Sequence, residues 1–151
     1  TGPGYDADGD GRTDLLWRTA TGTTVLALMN GTKTVSTAVL AIDPTWSVVA
    51  TGDFNGDRRH DLALSRPDAT VMVRLMDGST VLSSAVIGGD SRTAIVGTVD
   101  RPRDGRTDLA WRDLAGAVTV WEMNGTAVTR RSALGGDVQT VFWRRPGRRV
   151  V

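Results

Sequence analysis

The sequence contains no cysteine and only one histidine, one glutamate (Glu122) and one lysine (Lys33). The absence of cysteine excludes disulfides, thiolate zinc sites and cysteine nucleophiles. Glutamate and lysine usually cover the exposed faces of helices, so their scarcity argues against a helical protein. Threonine, valine, glycine and aspartate are abundant instead, and this composition favours strands and turns.

The sequence also lacks a large excess of positive or negative charge, and it has no long apolar run. Its 18 basic and 17 acidic side chains give a net charge of +1. This balance argues against the single-sign field that recruits nucleic acid or an anionic membrane. No apolar run approaches ~18 residues, so no transmembrane helix is predicted. The length of 151 residues and the 40% hydrophobic share predict a single folded domain over 1–151.

The chain repeats itself with a period of 47 residues. Asp6, Asp53 and Asp100 each begin an acidic segment, and the same step separates three methionines, Met29, Met76 and Met123. A constant step at several landmarks indicates three units without insertions. We place the units at approximately 1–45, 46–92 and 93–137, with 138–151 as a trailing strand and tail.

The period predicts a four-stranded unit of a β-propeller, although helical HEAT-like repeats have a similar length. The segments of each unit are short and rich in β-branched residues, which favours strands over helices. The predicted strands are 15–18, 24–29, 34–40, 46–50, 62–65, 71–76, 81–87, 93–97, 109–112, 118–123, 128–134 and 140–143. An Asn-Gly or Asp-Gly pair is predicted to form a two-residue hairpin turn after each third strand, with both residues at positive φ. Equivalent residues Leu26, Val73 and Val120, with the three methionines, are predicted to face the core.

Each acidic segment has the spacing Asp-x-Asp-x-Asp-x-x-x-Asp or a variant of it. Carboxylates that converge in a tight turn repel one another unless a cation neutralises them. Oxygen ligands without histidine or cysteine favour Ca²⁺. An EF-hand would need a glutamate at position twelve, where Trp17, Leu64 and Trp111 stand. The alternative is a cluster of Asx turns that only shapes the loop.

The predicted calcium ligands are side-chain oxygens and, at position seven, a backbone carbonyl. They are Asp6, Asp8, Asp10, Arg12 and Asp14 in the first loop, Asp53, Asn55, Asp57, Arg59 and Asp61 in the second, and Asp100, Asp104, Arg106 and Asp108 in the third. Glycines at 9, 11 and 56 allow sharp bends. The third loop has Pro102 in place of the second ligand, flanked by Arg101 and Arg103. The predicted order of calcium affinity is therefore first, second, third.

The segment from Gly52 to Leu62, with its Gly-Asp-Phe-Asn-Gly-Asp start, resembles the FG-GAP/VCBS repeat of integrin α-subunit-like β-propellers. Other segments, Leu-Trp-Arg and Met-Asn-Gly, resemble the repeats of bacterial secreted and surface proteins. The resemblance implies a blade with a Ca²⁺ loop between its first and second strands, and an extracellular or cell-surface location. Arg58 departs from the family pattern, which has glycine after the third acid.

Three blades are too few for a closed ring, since propellers run from about four to eight blades. Residues 1–5 are too rich in glycine and proline for a full first strand, whereas 140–143 match the first strand of the other units. We therefore expect an all-β propeller of three four-stranded blades per chain, completed by a homo-oligomer. A head-to-tail dimer with six blades is favoured. The alternative is a fragment of a longer propeller.

The favoured function is a non-enzymatic, lectin-like calcium-binding module that recognises a glycan or a protein. Trp121 is the predicted ligand-stacking residue, because its equivalents are Ala27 and Arg74 and the position therefore tolerates exposure. A purely structural, self-assembling role is the alternative. A glycoside hydrolase with paired carboxylates is less favoured, since the acids recur in every unit. His60 is predicted to be a solvent-exposed bystander.

Overall fold

The computed structural model describes residues 4–100 and 104–134, and within these ranges the fold is all-β. In the described ranges there is no helix that is long and apolar enough to cross a membrane. The strands are β1 (Leu15–Arg18), β2 (Thr24–Asn30), β3 (Lys33–Leu40), β4 (Ser47–Gly52), β5 (Asp61–Ser65), β6 (Val71–Asp77), β7 (Thr80–Gly88), β8 (Thr93–Val99), β9 (Asp108–Asp113), β10 (Val118–Asn124) and β11 (Ala127–Ala133). The predicted strands up to residue 134 are confirmed to within about two residues. The predicted strand at 140–143 lies outside the described residues.

The strands form three antiparallel sheets in which sequence neighbours pair. Sheet 1 has the order β1-β2-β3, sheet 2 has β4-β5-β6-β7, and sheet 3 has β8-β9-β10-β11. Among the described residues sheet 1 has three strands, as expected for a first unit without a full leading strand, and sheets 2 and 3 have four each. Residues 7–12, in the acidic loop before β1, form bends, and Gly9 and Gly11 turn the chain there at positive φ.

The hairpin turns differ by one residue from the prediction. Asn30 is still in β2 and faces Lys33, so Gly31 and Thr32 are the two central residues of the turn. Gly31 has φ of 64°, and Gly78 and Gly125 repeat this conformation. Among the described residues, only Arg58 and Ala69 have positive φ without being glycine. A positive φ at the first central residue alone is the pattern of a II′ turn rather than I′.

Most of the core lies in two apolar layers, each between adjacent sheets. The first joins Leu26 and Leu40 of sheet 1 to Leu62, Leu64 and Met76 of sheet 2. The second joins Phe54 of the second acidic loop and residues of sheet 2 to residues of sheet 3; its members are Phe54, Ala63, Val71, Val73, Leu109, Trp111 and Met123. The predicted core positions are confirmed, since Leu26, Val73, Val120 and the three methionines are all buried.

Backbone hydrogen bonds also join the acidic loops of adjacent sheets. The His60 amide donates to the Asp6 carbonyl, and the Asp6 amide donates to Nδ1 of His60 at 3.2 Å. One repeat later, Thr107 and Asp53 form the same pair, with the Thr107 hydroxyl as acceptor. The prediction that His60 is an exposed bystander is wrong, because its ring fills the position between two loops and contacts Tyr5 edge-on.

Candidate metal centre

The first acidic loop, residues 6–14, wraps around the carboxylate of Asp6. The Gly9 amide donates to Oδ1 of Asp6 at 2.8 Å, and the Gly11 amide donates to Oδ2 at 2.9 Å. Both glycines have φ above 80°, a conformation that a side chain disfavours. The bends predicted at these glycines therefore exist, and they aim backbone amides at a buried carboxylate.

Asp6, Asp8 and Asp14 bring one carboxylate oxygen each to within 4.8 Å of one another. Asp6 and Asp14 are buried and Asp8 is half-buried. The pKa of Asp8 is raised above its usual value, first by desolvation and further by the negative charges of Asp10, Asp14 and Asp6. Three oxygen ligands and uncompensated negative charge are the conditions under which a hard cation binds.

Asp10 lies outside this cluster, and its carboxylate is engaged by Arg12. The Arg12 amide donates to Oδ1 at 2.8 Å, and the guanidinium donates to Oδ2 at 2.9 Å. The pKa of Asp10 is lowered, mainly by that amide and further by the guanidinium. Sequence reasoning considered only the backbone carbonyl of Arg12 and missed this ion pair, although the two-residue spacing recurs in every loop.

The second loop, residues 53–61, repeats the arrangement with small differences. Asp53 accepts hydrogen bonds from the amides of Gly56, Asp57 and Arg58. Arg58 stands where the first loop has Gly11, and it keeps a φ of 71°. The side-chain NH₂ group of Asn55 donates a hydrogen bond to the Asp57 carboxylate at 3.3 Å, within the same loop.

The last acid of each loop is buried and connects the loop to its sheet. Oδ1 of Asp14, Asp61 and Asp108 accepts a hydrogen bond from the amide of the methionine 15 residues later, at 2.8–2.9 Å. Oδ2 of Asp14 and Asp61 accepts a second one, from the Ala7 and Phe54 amides. Burial raises the pKa of Asp61 to about 7, against the lowering effect of its two amide donors. These residues were predicted only as metal ligands, and the structure gives them an additional anchoring role.

The third loop is described only in part, since residues 101–103 lie outside the described ranges. Asp100 accepts a hydrogen bond from the Asp104 amide, and Arg106 pairs with Asp104 at 3.2 Å. The pKa of Asp104 is lowered, mainly by the Arg106 amide. The predicted effect of Pro102 and its flanking arginines concerns residues outside the described structure.

The donor set of the first loop fits a calcium ion. Every candidate ligand is an oxygen, which matches the preference of Ca²⁺. Each carboxylate oxygen has two acceptor sites, so an oxygen that already accepts an amide can also coordinate a cation. Asp6, Asp8 and Asp14 would hold the ion, and its charge would offset their mutual repulsion.

Trp121, the predicted ligand-binding residue, is partly buried and packed against other side chains. Its ring centroid lies 4.4 Å from that of Trp111, and the Arg131 guanidinium carbon lies 4.3 Å from the Trp121 centroid. The guanidinium of its equivalent, Arg74, donates a hydrogen bond to the carbonyl of Ala41, directly after β3. The ring of Trp121 is therefore already in contact with two side chains, those of Trp111 and Arg131.

Comparison with known families gives a match to part of the chain. Residues 6–64 match the family described as FG-GAP-like repeat. This segment extends from the first acidic loop through sheet 1 and β4 to the second loop and most of β5. No curated protein and no solved structure matches the chain. The resemblance predicted from the sequence is confirmed for this segment: residues 6–64 carry an FG-GAP-like repeat.

Proposed function

We propose that this chain is a calcium-binding, propeller-type module that recognises a glycan or a protein and has no catalytic activity. The convergence of Asp6, Asp8 and Asp14 carries the calcium part of the proposal. The FG-GAP repeat in residues 6–64 supports a β-propeller-like module of a generally non-enzymatic family. Millimolar calcium is an extracellular condition, so an extracellular or cell-surface location belongs to the same proposal.

Calcium binding is tested by thermal unfolding in millimolar Ca²⁺ and in EDTA. A ligand that binds only the folded state at a hundredfold excess over its Kd stabilises by about 2.7 kcal/mol. For a chain of this size, such a gain raises Tm by roughly 5–10 °C. The same concentration of Mg²⁺ should give a smaller shift, because Mg²⁺ demands a stricter octahedral site.

A pair of matched variants locates the effect in the first loop. Asp8→Asn keeps the shape of the side chain but removes its charge, and it should abolish most of the calcium-dependent rise in Tm. Asp43→Asn is the control, since Asp43 is an exposed acid that caps Thr45 in a distant turn. A wild-type curve that is identical in Ca²⁺ and EDTA, or equal calcium responses in the two variants, would refute the calcium site.

Recognition of a ligand is tested separately, by glycan-array binding of the calcium-loaded protein. Trp121→Ala should weaken the signal if this ring contributes to the recognition surface. Binding that persists unchanged in Trp121→Ala would remove this residue from the proposal. Absence of any glycan signal would leave a protein ligand, to be sought by affinity capture with the same variant as control.

A structural, self-assembling role is a second candidate because of one observation. Leu15 and Trp17 of β1 are exposed by 51% and 43%, although both are large and apolar. Exposed apolar side chains on a strand with one free edge mark an interaction surface.

A further inference from the structure

The first acidic loop is held by the second repeat as well as by its own sheet. The His60 amide donates to the Asp6 carbonyl at 2.8 Å, and the Asp6 amide donates to Nδ1 of His60 at 3.2 Å. His60 directly precedes β5 and is 54 residues away from Asp6. Both backbone groups of the first candidate calcium ligand are therefore bonded to one residue of the next repeat.

The residues that follow Asp6 are also packed against the second repeat. The Ala7 carbonyl accepts a hydrogen bond at 2.9 Å from the amide of Gly78, in the turn between β6 and β7. The Gly9 backbone lies so close to the second loop that a Cβ at Gly9 would be 3.1 Å from the Arg58 carbonyl oxygen. A shift of residues 6–9 would therefore break several contacts with the second repeat.

The peptide group between Asp6 and Ala7 connects His60 to the candidate calcium ligands. Its carbonyl accepts the hydrogen bond from the His60 amide, and its N–H donates to Oδ2 of Asp14 at 2.8 Å. Asp6 and Asp14 are two of the three residues whose carboxylate oxygens converge, the third being Asp8. Calcium–oxygen distances lie within about 2.3–2.6 Å, so a displaced peptide would move two of the three ligands away from the ion.

The second loop repeats this arrangement with a different side chain. The Thr107 amide donates to the Asp53 carbonyl at 2.6 Å, and the Asp53 amide donates to Oγ1 of Thr107 at 3.0 Å. The Gly125 amide donates to the Phe54 carbonyl at 2.8 Å, which is the counterpart of the turn contact in the first loop. Because histidine and threonine fill equivalent positions, their common property is a side-chain atom that accepts a hydrogen bond.

We propose that His60 is a positioning residue for the calcium site of the first loop, so that the second repeat sets the calcium affinity of the first. Its amide and Nδ1 hold Asp6, and through the Asp6–Ala7 peptide they also fix Asp14. This inference rests on the calcium part of the proposed function. Loss of a group that orients metal ligands lowers metal affinity by about 10–100-fold. By linkage, calcium bound in the first loop strengthens the contact between the two repeats by the same factor.

Calorimetric titration of matched variants with Ca²⁺, all at one pH, tests the role of the side chain. The first-loop site is the one that Asp8→Asn removes. His60→Val should weaken this site by about 10–100-fold, because valine has no acceptor for the Asp6 amide. His60→Thr should bind as the wild type does, since threonine resembles valine in shape but keeps the acceptor. Thr107→Val makes the corresponding change one repeat later and should leave the first-loop site unchanged.

The possible outcomes separate the positioning role from the calcium site itself. Equal affinities of His60→Val and His60→Thr would overturn the positioning role while the site remained. An equal loss of first-loop affinity in Thr107→Val would overturn it too. A wild type without any calcium binding that Asp8→Asn removes would refute the calcium part of the proposed function, and the positioning role with it.

Hydrogen exchange of the wild type needs no substitution at position 60 and remains informative if His60→Val does not fold. Under the proposal, an opening that frees the His60 and Gly78 amides from the first loop also releases the ion. At a hundredfold excess of Ca²⁺ over Kd, calcium should therefore slow exchange of these two amides by about a hundredfold. The control is the Gly116 amide, which donates to the Asp113 carbonyl at 3.0 Å in the turn between β9 and β10 and should exchange equally in Ca²⁺ and EDTA. In protein that binds calcium, unchanged exchange at His60 and Gly78, or equal slowing at Gly116, would overturn the proposal.

Discussion

Replacement of Asp61 by alanine should destabilise the protein strongly even when no metal is present. Asp61 is completely buried, and its two carboxylate oxygens accept hydrogen bonds from the Phe54 amide at 2.9 Å and the Met76 amide at 2.8 Å. Alanine leaves both buried amides without these acceptors. Each such loss costs about 1–3 kcal/mol.

The cost of burying the carboxylate itself reduces the net effect. Desolvation raises the pKa of Asp61 to about 7. Burial of the charged carboxylate therefore costs free energy in the wild type, and this cost offsets part of the stabilisation from the two hydrogen bonds. We therefore expect a net loss of about 3 kcal/mol in the free energy of unfolding, in the lower half of the range of about 2–6 kcal/mol for two lost bonds. For a chain of this size, that corresponds to a fall in Tm of roughly 6–12 °C.

The assay is urea and thermal unfolding of Asp61→Ala in EDTA, with Asp57→Ala as the matched control. Asp57 belongs to the same loop, but its side chain is 26% exposed and its amide donor comes from the partly exposed Arg59. Asp57→Ala should cost less than about 1 kcal/mol, since water replaces the lost contact. Equal losses for the two variants would refute the anchoring role of Asp61.

Two further predictions concern the backbone and the contact between sheets 2 and 3. Arg58→Gly should raise the free energy of unfolding by about 1 kcal/mol, because Arg58 has a φ of 71° that an L side chain disfavours. Urea unfolding measures this change, and a loss of stability in the variant would contradict the prediction. Gly52→Ala should cost about 1–3 kcal/mol, because the new Cβ would lie 2.5–2.8 Å from the Thr107 side chain. Gly97→Ala is the control, because no atom lies within 4 Å of a Cβ at this position. This change should be neutral or slightly stabilising. Similar Tm values for the two variants would argue against close packing of Thr107 on Gly52.

The sequence predicted the strands well because the signals for them are local. The 47-residue repeat showed each element up to three times, and β-branched segments between glycine-containing turns marked their limits. The exception is the hairpin turn, where Gly31 and Thr32 replace the expected Asn30 and Gly31 as central residues. Asn-Gly usually marks an I′ turn, and only the register of β2 with β3 shows that the glycine comes first.

The acidic loops were only partly predictable. Their spacing correctly indicated sharp turns around Asp6 and Asp53, because Asx turns involve residues two to five positions apart. The pairing of Asp10 with Arg12 was not predicted, although it is also local, since the two residues are two positions apart.

By itself, the sequence determined the all-β class, the repeat, the strand positions and the residues of the acidic loops, since each of these depends on neighbours along the chain. Tertiary structure decided that Asp61 is a buried anchor, that His60 joins two loops and that Trp17 is exposed while Trp111 is buried. These features depend on contacts between residues 15 to 54 positions apart, or on whether a neighbouring sheet covers a given face. A periodic sequence assigns equivalent residues the same environment, and only the packing of the sheets reveals where the first unit differs from the others.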